Sequence, residues 1–172
     1  MSSLDRLIIR PARLDDLDTL VQFSAAMALE TEGRKLDAAR LRSGTAAVFD
    51  APACGFYRVA EIPGPPAGRV IGQLLVTFEW SDWRNATFWW IQSVYVHPDW
   101  RRRGVYRRMH QATLQEARSR PDVCGVRLYV ERENRVAQAV YGRVGLSPSA
   151  YRVFEDDFVL PAKGSDPGFP NQ

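Results

Sequence analysis

The sequence predicts an α/β chain of the α+β kind, a mainly antiparallel central sheet with flanking helices. Two observations carry this. Short β-branched and aromatic runs recur (LII, GFYRVAE, RVIGQLLVTFEW, TFWWIQSVYV, GVRLYV), and apolar residues at helical spacing fill much of the sequence between them. A polar patch, Ser81 to Asn85, separates the two longest runs, which therefore read as a hairpin at the centre of the sheet.

The elements follow in order. Leu7 to Ile9 is a short strand closed by Pro11, acceptable at a sheet edge. Asp15 and Asp16 then open a helix whose Leu17, Leu20, Val21 and Phe23 run to about Met27, its acidic start suiting the helix dipole. Glu30 to Gly33 reads as an exposed bend. Leu36 to Val48 is a weaker helix, interrupted near Ser43-Gly44. Gly55 to Glu61 is the second strand, and the proline- and glycine-rich stretch from Pro63 to Gly68 is a turn. Arg69 to Trp80 and Thr87 to Val96 are the hairpin strands, the second stopped by Pro98. Gly104 to Ser119 is an amphipathic helix, Gly125 to Val130 a fifth strand, and Asn134 to Val144 a last helix ending at Gly145. Tyr151 to Phe154 and Phe158 to Leu160 read as one or two final strands, whose exposed edges would permit a homodimer.

The length, 172 residues, is that of one domain, expected over residues 1–160 with 161–172 as a flexible tail. With 45% apolar and 25% charged residues, the composition is that of a folded soluble chain rather than a disordered one. No apolar run approaches the roughly 20 residues of a membrane span, and charges occupy the start of the sequence where a signal peptide needs an apolar core. A cytoplasmic location without a membrane partner is expected. Cys54 and Cys124, far apart and in no CxxC pair, read as buried free thiols, and no metal site is expected from them or from His97 and His110.

The formal charge of +3 is unevenly placed. Arg101, Arg102, Arg103, Arg107 and Arg108 fall within eight residues, and outside them 18 basic side chains face 20 acidic ones. A strand, a proline stop, this arginine-rich loop and a glycine at a helix start make a candidate phosphate cradle, because helix N-terminal amides bind anions and arginines add charge-assisted hydrogen bonds.

At this point the sequence resembles the GNAT family of acyl-CoA-dependent N-acetyltransferases. The family's loop, Arg or Gln, two residues, Gly, one residue, then Gly or Ala, is matched by Arg101-Arg102-Arg103-Gly104-Val105-Tyr106, preceded by Val96-His97-Pro98. A second motif is similar at Asn134, Ala137, Tyr141 and Gly145-Leu146. The resemblance implies a mixed sheet whose fourth and fifth strands splay apart for the pantetheine arm of acetyl-CoA. It implies that the backbone of Val94 and Val96 pairs with that arm, that Arg101, Arg102, Arg103, Gly104, Val105 and Tyr106 hold the pyrophosphate, that Asn134 contacts the arm, and that Tyr141 sits near the sulfur as the catalytic acid. Asn134 also suits a helix N-cap, and Tyr141 a core position.

Three departures from the family pattern stand out. Tyr106 replaces the loop's second small residue. Gln92 and Ser93 stand where many relatives place a carboxylate late in the fourth strand. Tyr129 stands where a branch acting on protein N-termini has Glu. The general base is open among Glu30, Glu32, Glu79, Asp82, Glu131 and water. Trp80, Trp83, Trp89 and Trp90 gather around the hairpin, and at least one is expected to line an acceptor pocket in which acids attract a cationic amine.

The expected function is direct transfer of an acetyl group, in a ternary complex, to the primary amine of a small molecule, without metal or nucleic acid. The alternatives are an acetyltransferase acting on a protein lysine or N-terminus, a non-catalytic acyl-CoA-binding module, and a nucleic-acid-binding module that uses the arginines.

Overall fold

The computed structural model describes residues 3–65, 67–130, 134–154 and 156–160. In chain order its elements are β1 (Ile8–Pro11), α1 (Leu17–Glu32), α2 (Ala38–Asp50), β2 (Gly55–Ile62), β3 (Arg69–Ser81), β4 (Ala86–Val96), α3 (Val105–Ser119), β5 (Val123–Leu128) and α4 (Arg135–Arg143). Short 3-10 turns occupy Ser3–Arg6, Leu14–Asp16 and Pro98–Trp100. The strands form one sheet in the order β1-β2-β3-β4-β5, antiparallel as far as β4 and parallel between β4 and β5. This is the mixed, mainly antiparallel sheet expected. The parallel pair exists because α3 carries the chain back across the sheet before β5 begins.

Strand alternation divides the core into two layers. Ala60, Leu74, Val76, Trp89 and Ile91 point to the face covered by α3, where Val105, Met109 and Ala117 meet them. Tyr57 and Val59 point the other way, toward Leu20 of α1 and Val48 and Phe49 of α2. Full burial of one such aliphatic side chain contributes about 1.5–3 kcal/mol, so each helix is held mainly by its apolar stripe. Two polar links add specificity. Gln73 donates to Ser24 at 2.9 Å, tying α1 to the sheet centre, and buried Arg58 of β2 donates to Glu116 of α3.

Several sequence expectations are corrected. α1 continues through the expected bend to Glu32 and closes at Gly33, where Arg34 N–H bonds the Ala28 carbonyl at 3.1 Å; Glu30 and Glu32 are therefore helical. α2 is uninterrupted at Ser43-Gly44 because Asp37 caps its start, accepting from Arg40 N–H at 2.7 Å, and packing offsets the roughly 1 kcal/mol that an internal glycine costs. β1 and β5 are shifted by one or two residues from their expected limits. Tyr151–Phe154 and Phe158–Leu160 form no strand, since the described chain after Gly145 finds no pairing partner and leaves Phe154 and Phe158 about nine-tenths exposed (93% and 89%). Neither cysteine is buried: Cys54 lies in the exposed turn before β2, and Cys124 is half-buried on the outermost strand. Residues 161–172, expected as a flexible tail, lie outside the described residues.

Candidate active site

The site begins where β4 and β5 part. Their pairing runs from Thr87↔Val123 to Ile91↔Leu128 and stops, while β4 continues to Val96 against β3 alone. The register with β3 skips Gln92, because Leu75 faces Ser93 while Val76 faces Ile91, so a bulge sits at the parting point and adds local twist. His97 N–H bonds the Ile71 carbonyl at 2.9 Å, toward β3. By strand alternation, the backbone polar groups of Val94 and Val96 face the opposite flank, which β5 has vacated. The Val96 carbonyl there accepts from Arg101 Nε at 2.8 Å.

The arginine-rich loop follows directly. Pro98 opens the 3-10 turn, Arg102 (φ 60°) and Gly104 (φ 79°) are both left-handed, and α3 starts at Val105. A non-glycine residue in that region costs roughly 1–2 kcal/mol, a strain held by the surrounding turn. The first intrahelical bond is Arg108 N–H to the Gly104 carbonyl at 3.1 Å. The amides of Val105, Tyr106 and Arg107 thus have no intrahelical acceptor and point along the positive end of the dipole. A Cβ placed on Gly104 would meet no atom within 4 Å, so the loop has open space over its glycine. A phosphate fits this donor set and this space.

The five arginines divide by role. Arg101 donates to Glu30 at 2.7 Å and lies 5.2 Å from the Tyr95 ring centroid; the Tyr95 hydroxyl donates to the same carboxylate at 2.9 Å. This clip ties α1, β4 and the loop together. The Arg101 bond holds the Glu30 carboxyl below its ordinary range, while burial, then the adjacent carboxylate, push the Tyr95 hydroxyl up. Arg103 stacks on Trp100 at 5.5 Å, and Arg108 donates to the Leu4 carbonyl at 2.7 Å. Arg102 and Arg107 are the exposed pair with no described partner, so they can meet a ligand without breaking an internal bond.

Behind the cradle, Tyr106 replaces a small residue with a ring that joins α3 to α4. It meets the Tyr141 ring edge-on at 5.8 Å between centroids, and its hydroxyl lies 3.4 Å from His110 Nδ1. His110 is buried, and burial lowers its pKa, only partly opposed by the nearby Val144 backbone; its Nε2 makes no hydrogen bond among the described residues. A neutral ring protonated on Nε2 presents Nδ1 as an acceptor for the Tyr106 hydroxyl. Burial also raises the Tyr106 and Tyr141 hydroxyls, so both are neutral donors at physiological pH. Asn134 caps α4, its Oδ1 accepting from Ala137 N–H at 2.9 Å, which leaves its amide nitrogen as a donor.

The candidate bases are placed as follows. Glu30 is in the clip just described. Glu32 ends α1, 3.6 Å from Arg34. Glu79 accepts from Arg127 at 2.6 Å and from the Trp90 indole. Asp82 accepts from Trp83 N–H at 2.8 Å in the hairpin turn. Glu131 lies outside the described residues. The tryptophans do not form one cluster: Trp89 is core, Trp80 and Trp83 are exposed at 61% and 85%, and Trp90 lies against Tyr129, 4.3 Å between centroids, beside the parting. Strand alternation alone separates Trp89 from Trp90. The Tyr95–Glu30–Arg101 clip and the Tyr106–His110 contact were not foreseen; they join residues far apart in sequence or depend on which way a helix faces.

A cavity of about 450 Å³ lies elsewhere, at the hairpin end of β4, among Phe56, Phe78, Trp89, Glu116 and Arg120. Eleven residue steps along α3 separate Val105 from Glu116, about 16 Å of rise, so this cavity is distinct from the candidate cradle. No group of three or more His, Cys, Asp or Glu among the described residues could hold a metal ion, and no described helix is long and apolar enough to cross a membrane.

A sheet that opens between parallel strands beside a glycine-containing anion cradle is the frame of an acyl-CoA-dependent transferase. The sequence model of the GNAT acetyltransferase family matches residues 45–146. A possible acetyltransferase from Clostridium difficile 630 is 37% identical, covers 90% of this chain and 99% of its own, and superposes with a TM-score of 0.82. An aminoglycoside acetyltransferase from an uncultured soil metagenomic sample, solved with sisomicin, shares the fold at 15% identity and a TM-score of 0.69, over 92% of this chain and 99% of that one. An aminoglycoside N-acetyltransferase, AAC(6')-Iy, solved with CoA, does so at 13% identity and 0.69, over 88% and 95%. No functionally curated protein matches the sequence. The chain belongs to the GNAT acetyltransferase family.

Proposed function

We propose that this protein is a cytoplasmic N-acetyltransferase, one domain over residues 1–160, that moves the acetyl group of acetyl-CoA to the primary amine of a small molecule by direct attack in a ternary complex. The observation that carries this reading is the vacated flank of β4 at Val94 and Val96, opening beside the cradle. Acetyl-CoA, when bound, supplies an activated thioester. Val94 and Val96 offer backbone hydrogen bonds to its pantetheine arm, and the amides from Arg101 to Tyr106, with Arg102 and Arg107, hold its pyrophosphate. Arg101 and Arg103 act chiefly on the loop's shape, through Glu30, Val96 and Trp100. The Asn134 amide nitrogen faces the arm.

An alkyl ammonium has a pKa of about 10.4 and must lose a proton before it attacks. Every described candidate carboxylate is already engaged, which supports water as the proton's route out. The new C–N bond forms as the C–S bond breaks. The Val94 amide stabilises the negative charge that develops on the carbonyl oxygen, and the neutral Tyr141 hydroxyl donates the proton taken up by the leaving thiolate.

The arginine run is less available to nucleic acid than its density suggests, since Arg101, Arg103 and Arg108 are held by Glu30, Trp100 and Leu4. The test is twofold. CoA raises the melting temperature of the protein, and acetyl-CoA with a panel of small amines releases free thiol and acetylated amine. Absence of stabilisation by CoA overturns the reading.

A further inference from the structure

The face of β4 and β5 opposite α3 bears directly on the acceptor. On the α3 side Val105 and Met109 are packed into the core against the sheet, and Tyr106 meets Tyr141 between α3 and α4. An acceptor nitrogen must therefore approach over the other face, where Glu79, Arg127 and Tyr129 remain between about one-third and one-half exposed.

The charge of this surface is opposite in character to the acid-lined pocket that the sequence suggested. Glu79 is held by Arg127 and the Trp90 indole, and Glu30 by Arg101 and Tyr95. The Arg127 guanidinium lies 3.6 Å from the Phe88 ring centroid, and that of Arg84 lies 5.0 Å from the same ring. Arg84 makes a hydrogen bond to Ser81 at 3.3 Å and pairs with no described carboxylate. Among the described residues two guanidinium groups and the Glu79 carboxylate thus meet around Phe88 and Trp90, and the positions over Phe88 that would attract a foreign cation are filled by the protein's own. Among the described residues of this surface the carboxylate, Glu79, is already paired, and a polycation meets the two guanidinium groups over Phe88.

We propose that the acceptor lies on this surface and is a primary amine that also carries a carboxylate, its nitrogen at the parting beside Trp90 and Tyr129 and its carboxylate against Arg127 and Arg84. Phe88 precedes the parting at Ile91 and Gln92 by three to four residues, and strand rise places the guanidinium pair roughly 10–13 Å from it, which sets the separation of amine and carboxylate. The inference rests on the acetyltransferase reading and narrows its substrate to amino-acid-like monoamines.

The experiment uses the full chain, acetyl-CoA and thiol release, with three sets of acceptors: amino carboxylates of increasing chain length, their uncharged amides, and polycations such as spermidine and an aminoglycoside. The expected result is kcat/KM at least about tenfold higher for a carboxylate of matching length than for its amide, a difference of about 1.4 kcal/mol. Arg127→Gln raises KM for the carboxylate by a similar factor, leaves KM for the amide unchanged, and keeps the stabilisation by CoA. Arg84→Gln, in the exposed hairpin turn, repeats the effect should Arg127→Gln fold poorly. Preference for polycations, equal rates for acid and amide, or CoA binding without acetylation of any amino carboxylate overturns the inference and leaves the acetyltransferase reading intact. Failure of CoA to bind overturns both.

Discussion

Gly104→Ala isolates the cradle from the rest of the fold. Gly104 has φ 79°, and an added Cβ meets no protein atom within 4 Å, so the substitution introduces no internal clash. Its effect on stability is the backbone strain alone, about 1–2 kcal/mol. For a chain of this length each kcal/mol shifts the melting temperature by about 2–4 °C, so the unliganded variant melts about 2–8 °C lower. The new methyl projects into the open space over the cradle, where a pyrophosphate must approach the amides of α3. The Kd for CoA therefore rises by at least about tenfold, measured by calorimetry alongside melting curves with and without CoA. Gly125→Ala is the control. Its Cβ falls 2.7 Å from the Phe88 ring, so it loses stability through a side-chain clash while the cradle stays intact. A Gly104→Ala protein with lowered melting temperature and unchanged CoA affinity refutes the assignment of this loop as the phosphate site.

Other outcomes follow from the same geometry. Tyr141→Phe removes the proton donor and keeps the ring against Tyr106; kcat falls by about 10²-fold or more, with the Kd for CoA unchanged, in steady-state and binding assays. Burial depresses the His110 pKa in the fold below the ordinary value of about 6.5, so below that pH the unfolded chain binds a proton that the folded one refuses. Stability is full above about pH 6.5 and falls as the pH drops toward the folded pKa; His110→Gln flattens melting temperature over that window, measured by scanning fluorimetry. Trp83→Ser, at a side chain 85% exposed, changes stability by no more than about 0.5 kcal/mol in denaturant titration.

The order of elements was legible in the sequence because each reported itself locally: alternating β-branched runs, a polar patch between the hairpin strands, and Pro98 and Gly104 bracketing the loop. The loop between Pro98 and α3 was equally legible, since a candidate anion site built from consecutive amides and a glycine is contiguous. The charge of the proposed acceptor face was not. Glu30 and Glu79 read as free acids in a one-dimensional string, and become paired only because α1 lies across Tyr95 and Arg101, and because the parallel register sets Arg127 beside Trp90. Tyr106 likewise read as an intrusion into the phosphate loop, whereas its ring turns away to meet His110 and Tyr141.

The basic excess and its place at a helix start were fixed by sequence alone, since charge count and neighbour order are properties of the chain. Which of those arginines stay free, which carboxylates are already neutralised, and which flank of β4 lies open were decided by the tertiary structure. Ion pairs and strand partners form between residues tens of positions apart, at separations of a few ångströms that no local pattern encodes.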